Sequence, residues 1–429
     1  MIALLLVVAA APQAPAADSM PRITLAEALN RAARLDPNYV RALGTVDNAA
    51  WARRAAMSAM IFPSITVGSD YTNFSTQQFN VGTGAPASTS ATARIDARFE
   101  LFAGGRKFAT LSQAGADLES ARAGEQQQRF LTALTTEADY YAVLSNREFV
   151  DVSRDRVRRA GEQLVVARAR VLSGAAVQTD SLQLLLELNR ARVGLLQDEA
   201  RLRVARLVLG QRVGASGGID AAPLDTARAP DLPLSLVEAM TQAVEQGPEY
   251  RVVRANERSA EAALKARRAS YLPSLFLSAN ETTFGDQFYP EGLTRRTLTV
   301  SLSFPLWDNA QRELAYARAK NARELARAIR ADLERAAEAD VTSAWEAYQT
   351  ARATTEYSAQ GLVVARESYR VQEARYRAGA STILDLLDAQ AGLTQAQADL
   401  VQARYAARLA LAGLEAILGR RLFSDKDPS

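Results

Sequence analysis

Two carboxylates three residues apart, Asp385 and Asp388, open a helical stretch in the run YRAGASTILDLLDAQ of this 429-residue sequence. At that spacing on a helix they share one face. Such a pair can serve acid/base hydrolysis, attract cations, or simply favour the positive end of a helix. Hydrolysis requires two carboxyls held by different elements beside aromatic platforms. Here both sit on one Ala-rich helix. The chain contains neither Cys nor His, which removes thiol nucleophiles, His-based triads and zinc sites built on thiolate or imidazole. It also removes disulfides and an amino-terminal Cys for a lipid anchor. No constellation meets the criteria of a catalytic site, so the expectation is no enzyme, no metal and no cofactor.

The elements that position these carboxylates are written twice. TLAEALNRAARLDPNYVRA from Thr24 is echoed by SLVEAMTQAVEQGPEYRVV from Ser235, and IFPSITV from Ile61 by YLPSLFL from Tyr271. FELFAGGRK from Phe99 answers FPLWDNAQR from Phe304, and RVLSGAAVQTDSL from Arg170 answers RYRAGASTILDLL from Arg375. Four landmarks in one order at similar separations mark a tandem duplication. The reading is a signal peptide over 1–17, a first repeat over 18–214, a linker or equatorial segment over 215–234, a second repeat over 235–420 and a tail over 421–429. The signal peptide rests on the apolar run from Ile2 to Ala11 and the small-x-small Ala14-Pro15-Ala16.

Each half passes through the same periods. Helix runs from Leu25 to Met60, with Asp36-Pro37 as an interruption. Pro63, matched by Pro273, ends the helical pattern and a period of two takes over. Ala93, Ile95, Ala97, Phe99 and Leu101 alternate with Arg94, Asp96, Arg98 and Glu100, and Leu298, Val300, Leu302 and Phe304 with Thr297, Thr299, Ser301 and Ser303. These are strands with one apolar face. Their partners make one hairpin per half, about 64–102 and about 274–306, joined through polar loops over 75–91 and 285–296. Phe74 with Phe284 and Phe102 with Trp307 stand at strand ends as an interface girdle would place them.

After each hairpin come long proline-free runs, 105–172 and 310–378, then a turn at Gly174 or Gly379 and a returning helix. Continuous helix of that length reaches on the order of 100 Å. Leu188, Leu195, Leu202 and Leu209 repeat every seven residues, the seam of a coiled coil. The strands have the length and pattern of transmembrane β-strands, yet four cannot close a barrel and an open edge is untenable in lipid. Several copies must share one barrel, with Arg94, Asp96, Arg98 and Glu100 towards its water-filled lumen. With 51 basic and 48 acidic residues interleaved, a nucleic-acid partner is disfavoured.

On these repeats, the Phe-Glu-Leu-Phe-Ala-Gly-Gly-Arg segment at Phe99 and the YRAGASTILDLLDAQ segment at Tyr376, the chain resembles the TolC, or outer membrane efflux protein, family. The resemblance implies a mainly α fold with transmembrane β: a trimeric 12-stranded β-barrel in the outer membrane of a Gram-negative cell, continued by a 12-helix α-barrel through the periplasm. It implies a periplasmic adaptor and an inner-membrane pump of RND, ABC or MFS type as partners. Asp385 and Asp388 match aspartates that ring the periplasmic entrance, and Tyr376 and Asp180 match a latch that holds it shut. The latch arginine of the best-known member falls here at Ser381. Asp180 also reads as a helix cap. A type I secretion duct for peptides or proteins has the same fold. A periplasmic coiled-coil scaffold without a channel is the third reading, separable by its solubility without detergent.

Overall fold

The computed structural model describes residues 20–224, 230–289 and 291–423. The signal peptide and residues 424–429 of the tail lie outside the described residues. Along the chain run β1 (Arg22–Ile23), α1 (Leu25–Leu35), α2 (Pro37–Ile61), β2 (Ser64–Asn80), β3 (Ala85–Phe102), α3 (Arg106–Leu172), α4 (Gln178–Arg212) and β4 (Asp220–Ala221). The second half contributes α5 (Leu236–Gln246), α6 (Pro248–Arg268), β5 (Ser274–Gly285), β6 (Thr294–Ser303), α7 (Gln311–Arg377) and α8 (Ile383–Leu418). Each half holds a 67-residue helix followed by a shorter return. The chain divides into two compact units, one of residues 41–127 and 237–340, the other of residues 1–40, 128–236 and 341–429.

The first unit carries the sheet. Four antiparallel strands stand in the order β2-β3-β5-β6, so β2 and β6 are free edges. Ile65 faces Ala97, Val67 faces Ile95, Leu277 faces Val300 and Ala279 faces Leu298, which collects the apolar side chains on one side. Leu298, Val300 and Leu302 are 71%, 62% and 72% exposed, a surface that water does not suit.

The hairpins differ from the sequence reading at their tips. Residues read as a loop over 75–91 extend β2 to Asn80 and start β3 at Ala85, leaving only a tight turn. Backbone pairing needs no apolar side chain, and Asn80 supplies what composition hid. Its carbonyl oxygens accept from Gly82 and Gly84 N–H, and its amide donates to Thr89 and Gly285 carbonyls at 2.9 Å each. At the other end β6 stops at Ser303, before Pro305, which has no N–H for the ladder.

The second unit is helical. Tyr140, Tyr141, Leu144, Leu209 and Tyr405 form one core, beside the parallel pair of β1 and β4. The Tyr140 hydroxyl reaches the Ala222 carbonyl at 2.7 Å, and burial raises its pKa. The described residues of the 215–234 segment are bound into this unit: Asp220, 5% exposed, meets Arg206 at 3.2 Å and Arg147 at 3.6 Å, and Tyr348 donates to the Pro230 carbonyl. A second core joins Leu164, Leu184, Leu188, Tyr369, Tyr376 and Leu386 from α3, α4, α7 and α8. Just beyond α8, Arg421 bridges the buried Glu137 and Glu415 at 2.5 and 2.8 Å.

Candidate functional site

The two helix turns of the helical unit are built alike. Gly174 and Gly379 hold φ at +74° and +76°, a left-handed conformation that glycine adopts without cost. After each, the next N–H reaches back to satisfy a helix-end carbonyl, Ala175 to Arg170 and Ala380 to Arg375, both at 2.8 Å. The following helix starts differently in the two halves. In α8, Thr382 and Asp385 form a reciprocal capping box: Asp385 N–H donates to Thr382 Oγ1, while the Asp385 carboxylate accepts from the Thr382 N–H at 2.9 Å and hydroxyl at 2.8 Å. Those bonds to Thr382 hold the Asp385 carboxyl below its usual range. Asp388, one turn on, is exposed and has no hydrogen-bond partner among the described residues.

Tyr376, at the end of α7, is 2% exposed. The Arg170 guanidinium from α3 lies 4.7 Å from its ring centroid, donates to the Tyr376 backbone carbonyl, and donates to Ala175 at 3.3 Å. The Tyr376 hydroxyl is buried without a hydrogen bond, as is the Ser381 hydroxyl. Burial raises the Tyr376 pKa, and the nearby Asp180 carboxylate raises it further against the opposing charge of Arg170. The turn thus gathers a neutral phenol, an acid close to it but not bonded, and a cation stacked on its face.

In the sheet unit, the side opposite the apolar one carries most of the charges; the exception is the Glu281–Arg296 pair, at 2.9 Å, which stands on the apolar side across from Ile95. Arg94 meets Asp70 at 3.1 Å and Asp96 at 3.9 Å, and Asn280 donates to Asp96. Arg98 stacks on Phe276 at 4.6 Å, and Glu100 pairs with Arg106 at 2.5 Å. Arg94, Arg98 and Arg295 stand against Asp70, Asp96 and Glu100, so this face is balanced in charge. Phe284 corrects the girdle reading, for it pairs across from Thr92 on the polar side and lies under Arg295. The aromatics gathered at that end are Tyr71, Phe288 and Tyr289, with neighbouring centroids 6.3 and 5.3 Å apart. Among the described residues no helix is long and apolar enough to cross a membrane, and no acidic cluster could hold a metal.

The family model for outer membrane efflux protein matches residues 28–215 and 239–420, almost all of both repeats. The chain belongs to the outer membrane efflux protein family. It is 28% identical over 365 residues to the pyoverdine export outer membrane protein OpmQ of Pseudomonas putida, covering 81% of this chain and 76% of that protein. Its fold matches CusC with a TM-score of 0.79 at 16% identity, over 94% and 93% of the two chains. It matches the outer membrane protein VceC of Vibrio cholerae with a TM-score of 0.77, over 93% and 97%. This efflux protein is therefore a channel component of the Gram-negative outer membrane extending into the periplasm. It acts as an export conduit and not as an enzyme, within assemblies that include an adaptor and an inner-membrane pump.

Sequence reasoning placed Tyr376, Asp385 and Asp388 about the Gly379 turn and Asp180 in the equivalent turn of the first half; the structure sets Asp180 near Tyr376, which is buried in the core shared by α3, α4, α7 and α8, and leaves Asp385 and Asp388 exposed at the start of α8. It missed Arg170. The duplication held the signal: Arg170 and Arg375 are equivalent residues, and each donates to the carbonyl five residues on at 3.3 Å.

Proposed function

We propose that this efflux protein, as a homotrimer, is a passive exit duct for small molecules whose entrance is latched by Tyr376, Asp180 and Arg170 and ringed by Asp385 and Asp388. The observation that carries the reading is the Arg170 guanidinium lying on the Tyr376 ring and bonding its carbonyl. Where Ser381 stands in place of the family arginine, Arg170 brings a cation to the same tyrosine from α3. The closed state is then held by stacking and a backbone bond, while the Tyr376 hydroxyl stays unbonded beside Asp180.

Three copies of an exposed carboxylate in a constriction focus negative potential and favour cations. Asp388 is the stronger contributor, because its charge is not engaged in a cap; Asp385 spends its carboxylate on Thr382. The barrel wall, with Arg94, Asp96, Arg98 and Glu100 towards the lumen, is balanced in charge and leaves selection to the entrance. The name of the Pseudomonas relative, for pyoverdine export, supports a small-molecule cargo. The test is conductance of the detergent-purified oligomer in planar bilayers, comparing parent protein with Asp385→Ala plus Asp388→Ala. Small cation-selective openings that lose selectivity in the variant are expected; a folded trimer without openings would overturn the reading.

A further inference from the structure

α4 has two apolar faces, and its own chain uses one. Leu184, Leu188, Leu202 and Leu209 are buried in the cores described above. On the other side Leu182, Leu186, Val193, Leu196, Val204 and Leu207 are between 50% and 65% exposed. Counting Asn189 and Ala200, both exposed, the second stripe from Leu182 to Ala200 steps by four and three residues in alternation, the spacing of a coiled-coil seam. Helix α7 exposes a stripe at the same spacing: Tyr357, Gly361, Val364, Ser368 and Val371, with Tyr357 and Val364 70% and 69% exposed.

The levels of the two stripes can be read from bonds within the helical unit. Ser153 bonds Asp198 and Asp139 bonds Arg212, which sets α4 against α3. Gln163 bonds Tyr369 and Arg170 stacks on Tyr376, which sets α7 against α3. Residues of α4 and α7 at one level therefore have numbers that sum to about 557 on those contacts. Rotation about a symmetry axis keeps each residue at its own height, so the same levels meet between copies.

At those levels the stripes fit. Asn189 comes opposite Ser368, polar to polar; Val193 opposite Val364; Leu196 opposite Gly361; and Ala200 opposite Tyr357, small to large. Gly361 lies inside a helix that glycine weakens, and a Cβ added there would meet no atom of its own chain within 4 Å. Arg203 and Glu356, neither with a partner among the described residues, lie at nearly the same level beside the seam.

We infer that the exposed face of α4 docks on α7 of a second copy of this chain, in the register that sets Val193 against Val364 and Asn189 against Ser368. The inference rests on the trimeric reading above and adds the contact that fixes its helical wall. A buried Asn at one layer of an apolar seam sets register, because any slip strands its amide against apolar side chains. The polar pair therefore disfavours every register of the seam but this one.

The absence of native cysteine makes disulfide trapping unambiguous. The full chain with Val193→Cys plus Val364→Cys, purified in detergent and oxidised, is expected to run as a covalent trimer at about threefold mass on a denaturing gel. The off-register pair Leu186→Cys plus Tyr357→Cys is expected to stay monomeric on the same gel. Co-expressed single-cysteine chains of different tag length, one Val193→Cys and one Val364→Cys, should give the mixed dimer. A native mass of three with no covalent product, or with free maleimide labelling of both cysteines, would leave the face to another protein and overturn the inference while the trimer stands. Cross-linking of the off-register pair, or an intramolecular link, would also overturn it. A monomeric native mass sinks the trimeric reading together with the seam.

Discussion

Arg170→Ala isolates the contact on which the latch depends. The arginine is half-buried and spends its guanidinium on the face of Tyr376 and on two turn carbonyls. Stacking of a partly exposed cation on an aromatic ring contributes about 0.5–1 kcal/mol. A hydrogen bond from a charged donor adds about 1.5 kcal/mol, reduced here by solvent. Each chain then loses about 1–2 kcal/mol of closed-state stabilisation, and three chains opening together lose about 3–6 kcal/mol. Since roughly 5.5 kcal/mol carries a two-state equilibrium from 1:99 to 99:1, the upper value opens the entrance outright and the lower raises the open population by about two orders of magnitude. Single-channel recording in planar bilayers should show larger or longer openings than the parent, with trimer mass and helix content unchanged. Arg170→Lys should fall between the two, since it keeps the charge and loses the planar stack. Openings of Arg170→Ala indistinguishable from the parent in both size and lifetime would refute the latch.

The acid behaviour of the entrance follows from Asp385. Its folded pKa is depressed, so the stabilisation its carboxylate gives the start of α8 is present above the ordinary aspartate value, ~3.9, and is lost as pH falls through the lower folded value. Its negative charge should therefore outlast that of a free aspartate when reversal potentials are followed from pH 6 downwards in Asp388→Asn; loss of the remaining selectivity at or above the ordinary value would contradict the capping box as its cause. Arg421→Ala leaves Glu137 and Glu415 buried together without their shared cation. Removing one partner of such a network costs about 3 kcal/mol, the low end of the range because Arg421 is itself half-exposed; chemical denaturation should register it as a lowered midpoint. Val300→Arg puts a cation among the exposed apolar side chains of β6. At a cost of roughly 2–4 kcal/mol per copy near the bilayer midplane, it should cut the yield of membrane-extracted trimer, and an undiminished yield would deny that this face meets lipid.

The repeat order, the long helices, the turn glycines and the strands from Arg94 to Glu100 were legible because each is a local property. A period of two or seven, a proline after a helix and a glycine before a return follow from backbone geometry alone. The extent of the first hairpin was hidden, because Asn80 ties polar, glycine-containing residues into strands through bonds to Thr89 and to Gly285 more than two hundred residues away. The side on which Phe284 falls was legible and was misread: seven residues beyond Leu277 on an unbroken strand, alternation puts it on the face opposite Leu277, across from Thr92.

At the entrance the division is the same. Spacing alone put Asp385 and Asp388 on one helix face, and the absence of Cys and His alone removed most catalytic chemistry. That Thr382 occupies the Asp385 carboxylate while Asp388 stays unengaged depends on a local bond that spacing permits but does not require. That Arg170 lies on Tyr376 was decided only by tertiary packing. The two residues are 206 positions apart, and a cation finds an aromatic face only when α3 and α7 have been brought to one level by the core they share.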